Sequence, residues 1–153
     1  MRIAISAFVF CVPLIALASS PKAAWEAFHE RCLEPLEVSG EPNTEGLATD
    51  DKNSNQSTTA FSLEQGRLLI SNSHPVSCSL AELEPGDMDR IGRHYNKWAV
   101  SGVYTDRYTT TPQIAPNTIS MMSTDWRTPP IRVDILWPEA NGGPGLRVTE
   151  VSE

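Results

Sequence analysis

Cysteine, histidine and long apolar runs are all scarce in this chain. Its 153 residues contain three cysteines and three histidines. Cys11, Cys32 and Cys78 form no C-x-x-C, so neither thioredoxin-like redox chemistry nor c-type haem attachment is indicated. There is no G-x-S-x-G and no H-E-x-x-H, the recognisable signatures of α/β-hydrolases and zincins. No Gly-rich loop follows a strand pattern to cradle a phosphate, and Gly142-Gly143 belongs to a turn. Internal repeats and sustained heptads are missing, which argues against solenoids and coiled coils. Positive charge is also short, with 12 Lys and Arg against 19 Asp and Glu, a net charge of −7. Such a surface repels nucleic acid and anionic lipid, so neither is an expected partner.

One long apolar run is present, at the start. Arg2 precedes Ile3 to Ala18, which closes on the small-x-small pattern Ala16-Leu17-Ala18. That layout marks residues 1–18 as a secretory signal peptide cleaved before Ser19. Pro13 interrupts the run, and it falls short of the ~20 residues of a membrane span. Cys11 follows Phe10, without the small residue that a lipid-attachment site wants. Cleavage leaves residues 19–153, enough for one domain with its own core. It removes Arg2 and no acidic residue, so 11 basic residues face 19 acidic ones and the net charge becomes −8. No second stretch approaches a span. The mature chain is therefore expected to be soluble, and periplasmic or secreted.

The first mature element reads as a helix. Ser20 is placed to cap it, and Pro21 fits its first position. At 100° per residue Trp25, Phe28, Cys32, Leu33 and Leu36 share one face, opposite Glu26, Glu30 and Glu34. Pro35 is expected to end the regular helix near that point. Residues 39–60 are polar and turn-rich, with Leu47 the one large apolar side chain, and read as a flexible connection.

RLLISNSHPVSCSL then looks like a hairpin, turning at Asn72 to Pro75 and placing Cys78 on the apolar face of the return strand. DMDRIGRHYNKW returns to helical spacing, with Met88, Ile91, Tyr95 and Trp98 as its apolar stripe and Asp87 as its cap. AVSGVYTDRY and NTISMMS read as weaker strands. IRVDILW is the clearest strand, alternating Ile131, Val133, Ile135 and Trp137 against Arg132 and Asp134, with LRVTEV as its antiparallel partner after PEANGGPG. This order predicts an α+β fold, two helices covering one antiparallel sheet.

After export two cysteines remain, and an even pair in an oxidising compartment is first read as a disulfide. Cys32 and Cys78 each sit on the apolar face of their own element, where helix and sheet would meet. Bridging them closes a loop of about 46 residues, a constraint of about 4 kcal/mol in the chain-entropy model. The competing arrangement is a metal site. His29-x-x-Cys32 and His74-x-x-x-Cys78 make up zinc's Cys2His2 ligand list. Residues three apart on a helix are neighbours, but four residues along a strand span about 13 Å, too far for two ligands of one ion. A Cys-His nucleophile is weaker still, because an exported thiol with a partner at hand oxidises.

The remaining candidates are surfaces. Arg90, Arg93 and Lys97 form a basic stripe on the second helix, suited either to solvent or to an acidic partner. Trp98 and Trp137 fit core positions, whereas Trp126, in the polar run STDWRTPP, is the aromatic expected to be exposed and available for a ligand or partner. Nothing in the spacing of His29, His74 and His94 supports a catalytic triad. Asp50-Asp51 and Asp87 with Asp89 suit solvated or capping roles.

The opening Trp25-x-x-Phe28-x-x-x-Cys32-x-x-Pro35-Leu36-Glu37 resembles the start of small uncharacterised exported proteins of Gram-negative bacteria. The resemblance covers about a fifth of the mature chain. It implies export and a second cysteine in a strand, and it brings no catalytic residues. The expectation is then a single α+β domain pinned by one disulfide, without a cofactor, acting as a non-catalytic binding or accessory protein of the envelope. The alternatives are a small hydrolase-like enzyme with a histidine-centred site, and a Cys/His metal-binding protein.

Overall fold

Ser20 starts the chain's first helix as its position suggests: its Oγ accepts the Ala23 N–H at 3.1 Å, and Pro21 occupies the first turn. The computed structural model describes residues 20–152, so the signal-peptide reading of residues 1–18, Cys11 included, lies outside the described residues. Helix α1 (Pro21–Phe28) passes through a single π-helical turn (His29–Leu33) into α2 (Glu34–Glu37), one continuous rod.

Pro35 does not end that rod. The wide turn makes room for its ring, with the Glu34 N–H reaching back five residues to the His29 carbonyl. Pro35 has no N–H to give the Arg31 carbonyl, and the Asn43 N–H takes that place at 2.8 Å. The helix stops two residues later, at Glu37, in a Schellman turn. Ser39 sits at φ 59° and donates to the Leu36 carbonyl, while the Gly40 N–H reaches the Pro35 carbonyl at 2.8 Å.

Seven strands form one antiparallel sheet: β1 (Thr58–Leu63), β2 (Gly66–Ser71), β3 (Ser77–Ala81), β4 (Tyr108–Thr110), β5 (Thr118–Ser123), β6 (Ile131–Leu136) and β7 (Gly145–Glu150). Their order across the sheet is β1-β2-β3-β7-β6-β5-β4. Two meanders therefore meet at the central β3–β7 pair. Helix α3 (Met88–Tyr104) links them: its 17 residues span about 25 Å, enough to carry the chain from β3 to the far edge at β4.

The α+β architecture follows the sequence pattern, with three further local differences. Strand β1 begins at Thr58, inside the segment expected to be a polar connection up to residue 60. Helix α3 runs on through most of AVSGVYTDRY, leaving only Tyr108–Thr110 as strand. Val100, Val103 and Tyr104 are exposed on its outer face, so apolar residues there mimicked a strand. Asp87 occupies the cap position but makes no side-chain cap bond; a 3-10 turn (Pro85–Asp87) feeds the helix instead.

Both helices lie on one face of the sheet. Phe28, Cys32, Leu33 and Leu36 from the first helix and Met88, Ile91 and Tyr95 from α3 are essentially fully buried. They close over Leu68, Cys78, Leu80, Ile131, Val133, Ile135, Leu146 and Val148. The register pairs Leu80 with Leu146, Cys78 with Val148, and Val133 with Val148, so these residues share the covered face. Alternation turns the opposite face toward Ser79, Arg147, Asp134 and Ser120 in one row, and Ser77, Thr149, Arg132 and Met122 in the next.

Candidate functional site

Cys32 lies within the π-helical turn and Cys78 faces it from β3, with Cα atoms 5.4 Å apart, and the two are joined as a disulfide. Both are completely buried. The Cys/His metal reading is corrected by this bond, because neither sulfur remains as a thiolate to bind an ion. The histidines named with them go separate ways. His29 packs beside Trp25, ring centroids 6.1 Å apart. His74 is exposed in the β2–β3 turn, its Nδ1 3.8 Å from Glu150 Oε2. Among the described residues no three Cys, His, Asp or Glu side chains cluster as a metal site.

Aromatic rings run in contact from Trp25 through Tyr95 and Trp98 to Tyr108 and Trp126. Trp126 is 37% exposed, as its polar surroundings suggested. It is nevertheless fastened: its Nε1 donates to the Arg107 carbonyl, and the Arg107 guanidinium lies 4.3 Å from its ring centroid. The Tyr108 hydroxyl donates to Glu37 at 2.6 Å, and burial together with this bond pushes its ionisation well above the ordinary phenol range. Tyr95 is raised likewise, first by burial and then by the Asp134 charge; its hydroxyl donates to the Val133 carbonyl at 2.9 Å. At the sheet edge, the Asp50 carboxyl is held below its usual range, chiefly by the Asn53 amide at 2.7 Å.

Arg90, Arg93 and Lys97 are exposed on α3, and among the described residues none of the three forms an ion pair. The Glu26 carboxylate pairs with Lys22 on its own helix at 3.3 Å, not with that stripe.

The site that sequence reasoning missed stands on the face without helices. Asp134, central in β6, is 0% exposed although it points away from the covered core. Its carboxylate is fully bonded. Oδ1 accepts from Ser120 Oγ at 2.7 Å and Arg132 Nε at 3.0 Å. Oδ2 accepts from Arg147 Nε at 3.0 Å and Nη2 at 2.8 Å. Two guanidinium groups thus lie over one buried carboxylate, leaving a local charge of one positive unit. Arg132 and Arg147 keep side-chain exposures of 24% and 33%. The sequence held one signal for this: Arg132, Asp134 and Arg147 flank the turn of a hairpin, where pairing puts Arg147 opposite Asp134.

A concavity lies where the helix layer runs out. Seven strands span about 29 Å, whereas two helices cover about 20 Å. The remainder, over β1 and β2, is a groove of about 550 Å³ with Phe61, Ile70 and Val76 as its apolar floor and Glu41, Asn72 and His74 on its rim.

Comparison with protein-family models, curated proteins and solved structures yields no match to this chain.

Proposed function

We propose that this is an exported, non-catalytic binding or accessory protein of the cell envelope, which presents the open face of its sheet to its ligand. The observation that carries this reading is the one-sided architecture. Both helices and the disulfide serve the core on one face, while the other displays a fixed charged cluster amid small hydroxyl side chains. A rigid sheet holding polar groups in place suits recognition, since little ordering is left to be done on binding.

The groups with shifted protonation do other work. Tyr95 and Tyr108 are internal hydrogen-bond donors, and Asp50 braces a turn. None faces a histidine and a nucleophile, the convergence that acid–base hydrolysis requires. The buried disulfide accords with an oxidising compartment, and no helix among the described residues is long and apolar enough to cross a membrane. A mature net charge of −8 supports excluding nucleic acid as a partner.

The test is amide hydrogen exchange on the oxidised mature chain, with and without soluble envelope extract. Slowed exchange in β5, β6 and β7 at the open face is the expected result. No change there would contradict the reading. So would hydrolysis of chromogenic ester, phosphate or glycoside substrates that a His29→Ala, His74→Ala or His94→Ala variant abolishes.

A further inference from the structure

Resting on the reading of the open face as the binding surface, we infer that Arg132 and Arg147 form an oxyanion subsite, taking a carboxylate, sulfate or phosphate group of the ligand. Three observations carry it. The guanidinium groups are held in place, because the fully buried Asp134 fixes Arg132 through Nε and Arg147 through Nε and Nη2. Donors are left over: among the described residues neither Nη of Arg132 and not Nη1 of Arg147 has a protein acceptor. The neighbours are small and carry hydroxyl groups. Ser79 pairs with Arg147 across β3–β7, Thr149 pairs with Arg132 across β6–β7, and Ser77 Oγ lies 3.2 Å from Thr149 Oγ1.

The chemistry selects an anion of fork geometry. A guanidinium presents paired N–H donors that match two oxygens of a carboxylate or phosphate, and charge-assisted bonds of this kind are about twice as strong as neutral ones. The chain's acidity does not forbid it. At about 0.15 M salt the screening length is about 8 Å, so the two contacting guanidinium groups outweigh carboxylates elsewhere on the surface. Among these strands no other acidic residue stands in Asp134's own row, Ser79, Arg147 and Ser120, or in the rows on either side, Ser77, Thr149, Arg132 and Met122, and Ala81, Gly145, Leu136 and Thr118. A clamp built only to neutralise Asp134 would need one guanidinium beside Ser120; the second makes the cluster positive.

The experiment is an NMR titration of the 15N-labelled, oxidised mature protein with sodium phosphate, sodium sulfate and sodium succinate at constant ionic strength. Saturable shifts of the Arg132 and Arg147 side-chain N–H signals and the adjacent β6 and β7 amides are expected for at least one anion, and the three salts separate phosphate, sulfate and carboxylate preference. Ser79→Glu, which sets a competing carboxylate opposite Arg147 and leaves Asp134, Ser120 and Arg132 unchanged, is expected to weaken binding at least tenfold. Arg132→Gln is expected to do the same while Ser120 and Arg147 still hold Asp134. Shifts that follow sodium chloride equally, or saturable binding unchanged in Ser79→Glu, would overturn the subsite. Protection of the open face by envelope extract without anion binding would overturn the subsite and leave the binding reading standing. Anion binding without such protection would do the reverse.

Discussion

Arg127 is 4% exposed, and its guanidinium ties three separate parts of the chain together. Nε donates to the Leu36 carbonyl at the end of the first helix, Nη2 to Glu150 Oε1 of β7, both at 2.7 Å, and Nη1 to the Pro129 carbonyl. Removing it takes one of two donors from the Leu36 carbonyl, which keeps the Ser39 N–H, and leaves the largely buried Glu150 carboxylate without its guanidinium. Arg127→Met is therefore expected to lose about 3–5 kcal/mol in urea unfolding, and Arg127→Lys to recover only part, since an ammonium cannot copy the fork. The buried tyrosines give a pH prediction. Their folded ionisation lies above the unfolded value of about 10, so the stability they bring is complete below pH 10 and declines as pH rises beyond it. Urea midpoints should fall above pH 10, and less steeply in Tyr95→Phe; identical slopes would show that Tyr95 contributes nothing to the alkaline limb.

Among elements, the rod from Pro21 to Glu37 shows where local pattern and long-range contact divide. Its cap and apolar face were legible in the sequence, because Ser20, Trp25, Phe28, Cys32 and Leu36 fall at helical spacing. Its continuation past Pro35 was not, because it depends on Asn43, twelve residues beyond Arg31, supplying the bond that proline cannot. The β1–β2 hairpin was half legible for a related reason. Thr58–Leu63 lies in polar surroundings, and only its pairing with β2 and the Asp50 N–H bond to the Ala60 carbonyl define it as a strand. Gly66 closes that hairpin at φ 151°, where a Cβ would stand 2.3 Å from the Ala81 carbonyl oxygen. Gly66→Ala is expected to destabilise by about 1–3 kcal/mol in thermal or urea unfolding; a change within about 0.5 kcal/mol would deny the close approach.

At the scale of the molecule, the fold class and the Cys32–Cys78 bond were readable because both rest on period: 3.6 in the helices and 2 in the strands. The arginine cluster was not. Alternation assigns Asp134 to the outer face, yet its burial comes from Arg132 and Arg147 folding over it, and only the register reveals that. Trp126 was legible as exposed but not as fastened by Arg107, nineteen residues away. The disulfide closes a span of 46 residues holding β1, β2 and the polar segment, so Cys32→Ala/Cys78→Ala should cost about 4 kcal/mol.

The proposed export requires that this bond closes after the chain has left the cytoplasm. Its most direct test is intact mass with a free-thiol count on protein recovered from the compartments of an expressing bacterium. Export predicts a species in the envelope fraction that begins at Ser19, weighs two protons less than its reduced form and has no free thiol. A chain retained in the cytoplasm with residues 1–18 attached and both Cys32 and Cys78 reactive would contradict it.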